Sequence, residues 1–122
     1  MYKDLILFRN ELKNSKVPRY KMIGIVSEIL LNKVIFPKNA DIVIFLKEVL
    51  GLKYKNYVIK SRTTIIAKTV RIIHNSEEKE YILYKKNLMR YIGEAIEKAK
   101  EEGNIKKEKN NFDGWLNSIN EE

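Results

Sequence analysis

The chain has 122 residues, 44% of them hydrophobic, with a formal net charge of +8, no cysteine and a single histidine, His74. That length and composition fit one compact domain with a real core. Without cysteine there are no disulfides or thiolate metal sites, and one histidine cannot build a histidine metal cluster, so no cofactor is expected. The apolar runs, such as IVIFL at 42–46 and the four-residue run near the N-terminus, are too short for a signal peptide or a membrane span, which predicts a soluble, cytoplasmic protein with no membrane partner.

Phe, Tyr, Met, Ile, Asn and Lys together supply 62 of the 122 residues, a bias typical of AT-rich coding that accounts for lysine outnumbering arginine. It does not account for where the charge sits. Residues 1–74 carry a net +10 and residues 75–122 a net −2; between Lys47 and Arg71 there are seven basic residues and one acid, Glu48. A concentrated basic segment is the electrostatic footprint of a nucleic-acid binder, the alternative being an ordinary solvated face.

In chain order, Leu5, Phe8 and Leu12 recur at helical spacing and predict a helix over about 3–14. A second helix runs from Pro18 to about Asn32, with Met22, Ile23, Val26, Ile29 and Leu30 on its apolar stripe. KVIFP at 33–37 reads as a brief strand. NADIVIFLKEVLGL is a third helix, capped by Asn39 and stopped by Gly51 in a left-handed conformation. Asn56 can cap the next helix. The stretch SRTTIIAKTVRIIH, 61–74, is ambiguous: its β-branched residues favour a strand, while its basic residues gather on a helical face. The expectation is a helix over about 55–67 and a strand over about 69–74, paired through a polar loop at 75–79 with a second strand at 80–85. On the helical wheel Arg62 falls on the apolar side, where it would need a carboxylate such as Asp41 or Glu48. A last helix, capped by Asn87 and ended by Gly103, carries Leu88, Ile92, Ala95, Ile96 and Ala99 on one stripe. Gly24 and Gly93, inside helical patterns, are expected to allow close packing of a neighbouring element.

This order of elements, from Arg19 to Lys86, resembles a winged helix-turn-helix domain, and rests on NADIVIFLKEVLGL and KNYVIKSRTTIIAK either side of a short turn. Lys47 stands where the usual turn pattern has a small residue. The resemblance implies an α+β fold, mostly α with a small antiparallel β-hairpin wing, with flanking N- and C-terminal helices. NYVIKSRTTIIAK would then be the recognition helix and HNSEEKE the wing tip. Size, composition, element order and a long terminal helix are also similar to small origin-of-transfer-binding accessory proteins of Gram-positive conjugative plasmids. That similarity implies a sequence-specific double-stranded DNA-binding protein, a dimer, that marks a site for transfer or replication and recruits partners. A transcriptional repressor of the same fold, or a protein–protein adaptor that binds no nucleic acid, are the alternatives.

The candidate DNA contacts are Lys60, Thr64 and Lys68 on the exposed helical face, flanked by Asn56, Tyr57 and Thr63, with Lys53 and Lys55 at the helix entrance. From the expected hairpin come Arg71, His74, Asn75, Lys79 and Lys85, although Glu77, Glu78 and Glu80 would crowd its tip. No nucleophile–base constellation, paired carboxylates or phosphate-cradling loop appears, so an enzyme is not expected. The dimer interface is expected on the helix 88–102 or the N-terminal helix. Residues 1–103 form the domain. Residues 104–122 read as a polar linker and a tail in which Phe112, Trp115, Leu116 and Ile119 recur at helical spacing, a pattern that suits docking on a partner as well as folding back on the chain.

Overall fold

The computed structural model describes residues 2–14 and 16–109. Six helical segments account for the elements. They are α1 (Tyr2–Leu12), α2 (Arg19–Leu31), α3 (39–50), α4 (Asn56–Ile59), α5 (Arg62–Asn75) and α6 (Glu78–Lys109). Among the described residues there is no strand, so the expected α+β fold with a hairpin wing is overturned: the architecture is all-helical.

The wing fails for a physical reason. The β-branched residues from 63 to 73 also repeat at helical spacing, and the helix buries Ile65, Thr69 and Ile73 on one side against α2. Burial of that stripe outweighs the modest β preference of its members. The expected second arm, 80–85, opens α6, whose buried residues Tyr81, Tyr84, Leu88, Ile92 and Ile96 share one helical face. The acids assigned to a wing tip sit at the α6 N-terminus, where negative charge is favoured, and Glu77 N–H donates to Glu80 Oε1 (3.0 Å).

Other boundaries shift for local reasons. The brief strand at 33–37 is a turn, because the Asn32 side chain accepts from Val34 N–H (2.8 Å) and Ile35 N–H (3.1 Å) and folds the chain back. The single helix expected over 55–67 breaks at Ser61, an N-cap whose hydroxyl accepts from Thr64 N–H (3.3 Å). Asn56 opens α4 without capping it. Asn87 lies inside α6 and donates to Val49 O (3.2 Å), and α6 continues through Gly103 to Lys109. Among the described residues neither Gly24 nor Gly93 is pressed by a neighbour, since an added Cβ would meet nothing within 4 Å at either.

Gly51 is where the sequence placed it. It ends α3 at φ 64°, letting Leu52 N–H reach Leu46 O and Gly51 N–H reach Lys47 O, both at 3.1 Å. The last turn of α3, Leu46–Leu50, is wound as a π-helix and packs on α6. Phe45, fully buried, is the hub, meeting the edges of Phe36 (5.6 Å between ring centroids) and Tyr91 (4.9 Å).

Two antiparallel pairs make the body, α2 with α5 and α1 with α6. The apolar stripes of α1 (Leu5, Phe8, Leu12) and α6 are buried within the chain. No described helix is long and apolar enough to cross a membrane.

Candidate nucleic-acid interface

From residue 49 to residue 76 the chain has no Asp or Glu. This acid-free stretch forms the 51–55 connector, α4 and α5. Its cations divide by direction. Arg62 points inward and finds no carboxylate. Its Nε donates to Asn39 Oδ1 (2.9 Å), Nη1 to Leu30 O (3.2 Å) and Nη2 to Phe36 O (2.8 Å). Asn39 in turn donates to Ile59 O (2.9 Å). Neutral carbonyls, one of them in the last turn of α2 where the helix dipole is negative, thus satisfy the guanidinium in place of Asp41 or Glu48.

The remaining cations face solvent. On α5, Thr63, Ala67, Arg71 and Asn75 recur every fourth residue and all are exposed, with His74 beside them and Thr64 and Lys68 half-buried along the edge. On α4, Asn56 and Tyr57 are exposed, as is Lys60 just past its end, and Lys53 and Lys55 are exposed in the connector. Among the described residues none of Lys53, Lys55, Lys60, Lys68 and Arg71 forms an ion pair; the pairs found are Arg19–Glu78 (3.7 Å) and Lys100–Glu97 (3.6 Å).

Two features hold this surface rigid from behind. Thr69, fully buried, donates its hydroxyl proton to Ile65 O (2.7 Å), so Tyr54 OH must be the donor in its 2.9 Å contact with Thr69 Oγ1. That bond fastens the connector bearing Lys53 and Lys55 to α5. Burial pushes the Tyr54 phenol above its ordinary pKa. At the far end, Arg19 donates to Ile73 O (3.0 Å) and Ser76 Oγ and lies 4.7 Å over the Tyr81 ring.

Two sequence-predicted contacts fall elsewhere. Lys85 is on α6 with Nζ donating to Asn14 O (2.6 Å), so its ammonium is engaged between helices. Lys79 is exposed in the first turn of α6 among Glu77, Glu78 and Glu80. The tail residues Phe112, Trp115, Leu116 and Ile119 lie outside the described residues. Sequence reasoning missed the two arginine clamps and the Ser61 break; the serine ahead of a polar first turn was the available signal for the latter. No family model, curated protein or solved structure matches the chain.

Proposed function

We propose that this protein binds double-stranded DNA through the outer face of α4 and α5, without doing chemistry on it. The observation that carries this reading is the acid-free stretch, folded so that five cations (Lys53, Lys55, Lys60, Lys68 and Arg71) have no ion pair among the described residues while Arg62 turns inward. α5, at 1.5 Å per residue, is about 21 Å long, and a single helix fits the major groove. Lys53, Lys55, Lys60, Lys68 and Arg71 would neutralise phosphates, and Thr63, Thr64, His74 and Asn75 supply short donors and acceptors toward base edges. The site is a marker to which other proteins are brought, and the proposal includes a cytoplasmic location.

Five phosphate contacts give a log–log dependence of affinity on salt with a slope of about −4.5. Titration of duplex fragments at several salt concentrations, with bound fragments sequenced, checks this. Lys60→Glu with Arg71→Glu should abolish binding and flatten the slope while changing folding stability by less than about 0.5 kcal/mol, as expected for exposed positions. A slope near zero in the unaltered protein sinks the mechanism.

A further inference from the structure

α2 turns one side into the core and leaves the other bare. Met22, Ile25, Val26, Ile29 and Leu30 are buried, and α2 packs against α5. On the opposite side, spaced by four, three and four residues, stand Tyr20, Gly24, Ser27 and Leu31. Tyr20 is 77% exposed, Leu31 57%, and Val34, just past the helix end, 72%. Glycine is a poor residue inside a helix, yet among the described residues nothing approaches the place its side chain would fill. A close contact there is open to a surface arriving from outside the described fold.

The face is also its own complement. Read in either direction, the order is large, small, small, large. Two copies of α2 laid antiparallel about a two-fold axis between residues 25 and 26 set Tyr20 against the partner's Leu31, and Gly24 against the partner's Ser27. Lys21 and Glu28 flank the same edge of this stripe. The two-fold keeps that edge on one side of the pair and brings Lys21 alongside the partner's Glu28, twice. A partner of other sequence would have to match this pattern by coincidence, whereas a second copy does so by symmetry.

We infer that α2 is the seam of a homodimer, with two copies packed antiparallel across Gly24 and Ser27. This seam does not depend on the nucleic-acid reading. It leaves the outer face of α5 uncovered, because α5 lies on the other side of α2 and turns its buried residues toward it.

Sedimentation equilibrium of the full chain over a range of concentration tests the seam. The unaltered protein should dimerise. Gly24→Gln should weaken association by at least about tenfold, since overfilling a close contact costs that much. At a concentration low enough for both proteins to be monomeric, its melting temperature should stay level or rise, because the single chain has room there and glutamine favours helix. Lys21→Glu should weaken the dimer, and adding Glu28→Lys should restore it. A monomer at the highest concentration, or a dimer that Gly24→Gln leaves intact, overturns the inference; the second outcome would move the interface to another surface, the 110–122 tail included.

Discussion

The α2–α5 and α1–α6 pairs are both antiparallel, but they are held by different means. In α2–α5 each end is tied by an arginine that reaches the carbonyls closing the opposite helix. Arg62, at the start of α5, holds Leu30 O, and Arg19, at the start of α2, holds Ile73 O. In α1–α6 the polar ties among the described residues include two that reach past the end of α1, from Lys85 to Asn14 O and from Tyr81 OH to Val17 O. Arg9 Nε is buried with no partner among the described residues. What holds that pair is burial of Leu5, Phe8 and Leu12 against the α6 stripe. Fixed hydrogen bonds at both ends set register and orientation, whereas apolar burial sets proximity and tolerates small shifts. The pair that carries the unpaired cations is the one whose geometry is pinned.

The largest expected effect falls on the apolar side of this comparison. Ile92 is fully buried on the α6 stripe, and Ile92→Ala should cost about 4 kcal/mol through lost transfer energy and the cavity left behind. Hydrogen exchange should then show α1 amides losing protection well before those of α2 and α5. Simultaneous loss in all four helices would mean that the two pairs are one cooperative unit and would erase the distinction.

Next is Arg62→Met, which keeps much of the side-chain volume but strands Leu30 O, Phe36 O and the Asn39 amide. Leaving several part-buried acceptors without their charged donor should cost about 3 kcal/mol, read as a drop in urea midpoint at unchanged slope. Arg62→Lys should recover only part of this, since a single nitrogen cannot stand at the three separate positions from which Nε, Nη1 and Nη2 donate. Full recovery by lysine would show that the charge, and not the planar fork, holds the pair.

Much of this was legible in the sequence. The helices at either end of the first half and the stop at Gly51 follow from periodicity and one glycine. The inward placement of Arg62 was also visible, as a cation on an apolar stripe. Its partners were not, because backbone carbonyls carry no sequence signature and a search for compensating acids looks past them. The strand reading of 69–74 and 80–85 failed because both stretches are rich in β-branched and aromatic residues whose helical repeat becomes evident only when α2 and α3 are there to receive it. At the candidate interface Lys60 is exposed as expected, Thr64 and Lys68 are only half-exposed, and Arg71, His74 and Asn75 are exposed on α5 instead of on the expected hairpin. Lys85, basic and close in sequence, was drawn away by the end of α1. Charge runs identify a region; only packing says which of its cations remain free.

The smallest effect concerns the bond fastening the 51–55 connector to α5. Tyr54→Phe removes the donor to Thr69 Oγ1 and leaves the Thr69–Ile65 bond intact, which should cost about 1 kcal/mol at neutral pH. Its pH dependence gives a sharper signature. Burial raises the phenols of Tyr54, Tyr81, Tyr84 and Tyr91 above the ordinary value of 10.0. The folded state therefore favours the protonated, neutral phenol. That contribution is fully present below pH 10.0 and is lost as pH rises through the raised folded values. Phenylalanine at 54 cannot ionise, so the variant should lose less stability than the parent on going from neutral to strongly alkaline solution, and the two urea midpoints should converge. Lysine deprotonation is common to both proteins and cancels in the comparison. A gap that stays constant with pH would place the Tyr54 phenol in ordinary contact with solvent and leave the connector, with Lys53 and Lys55, free to move relative to α5.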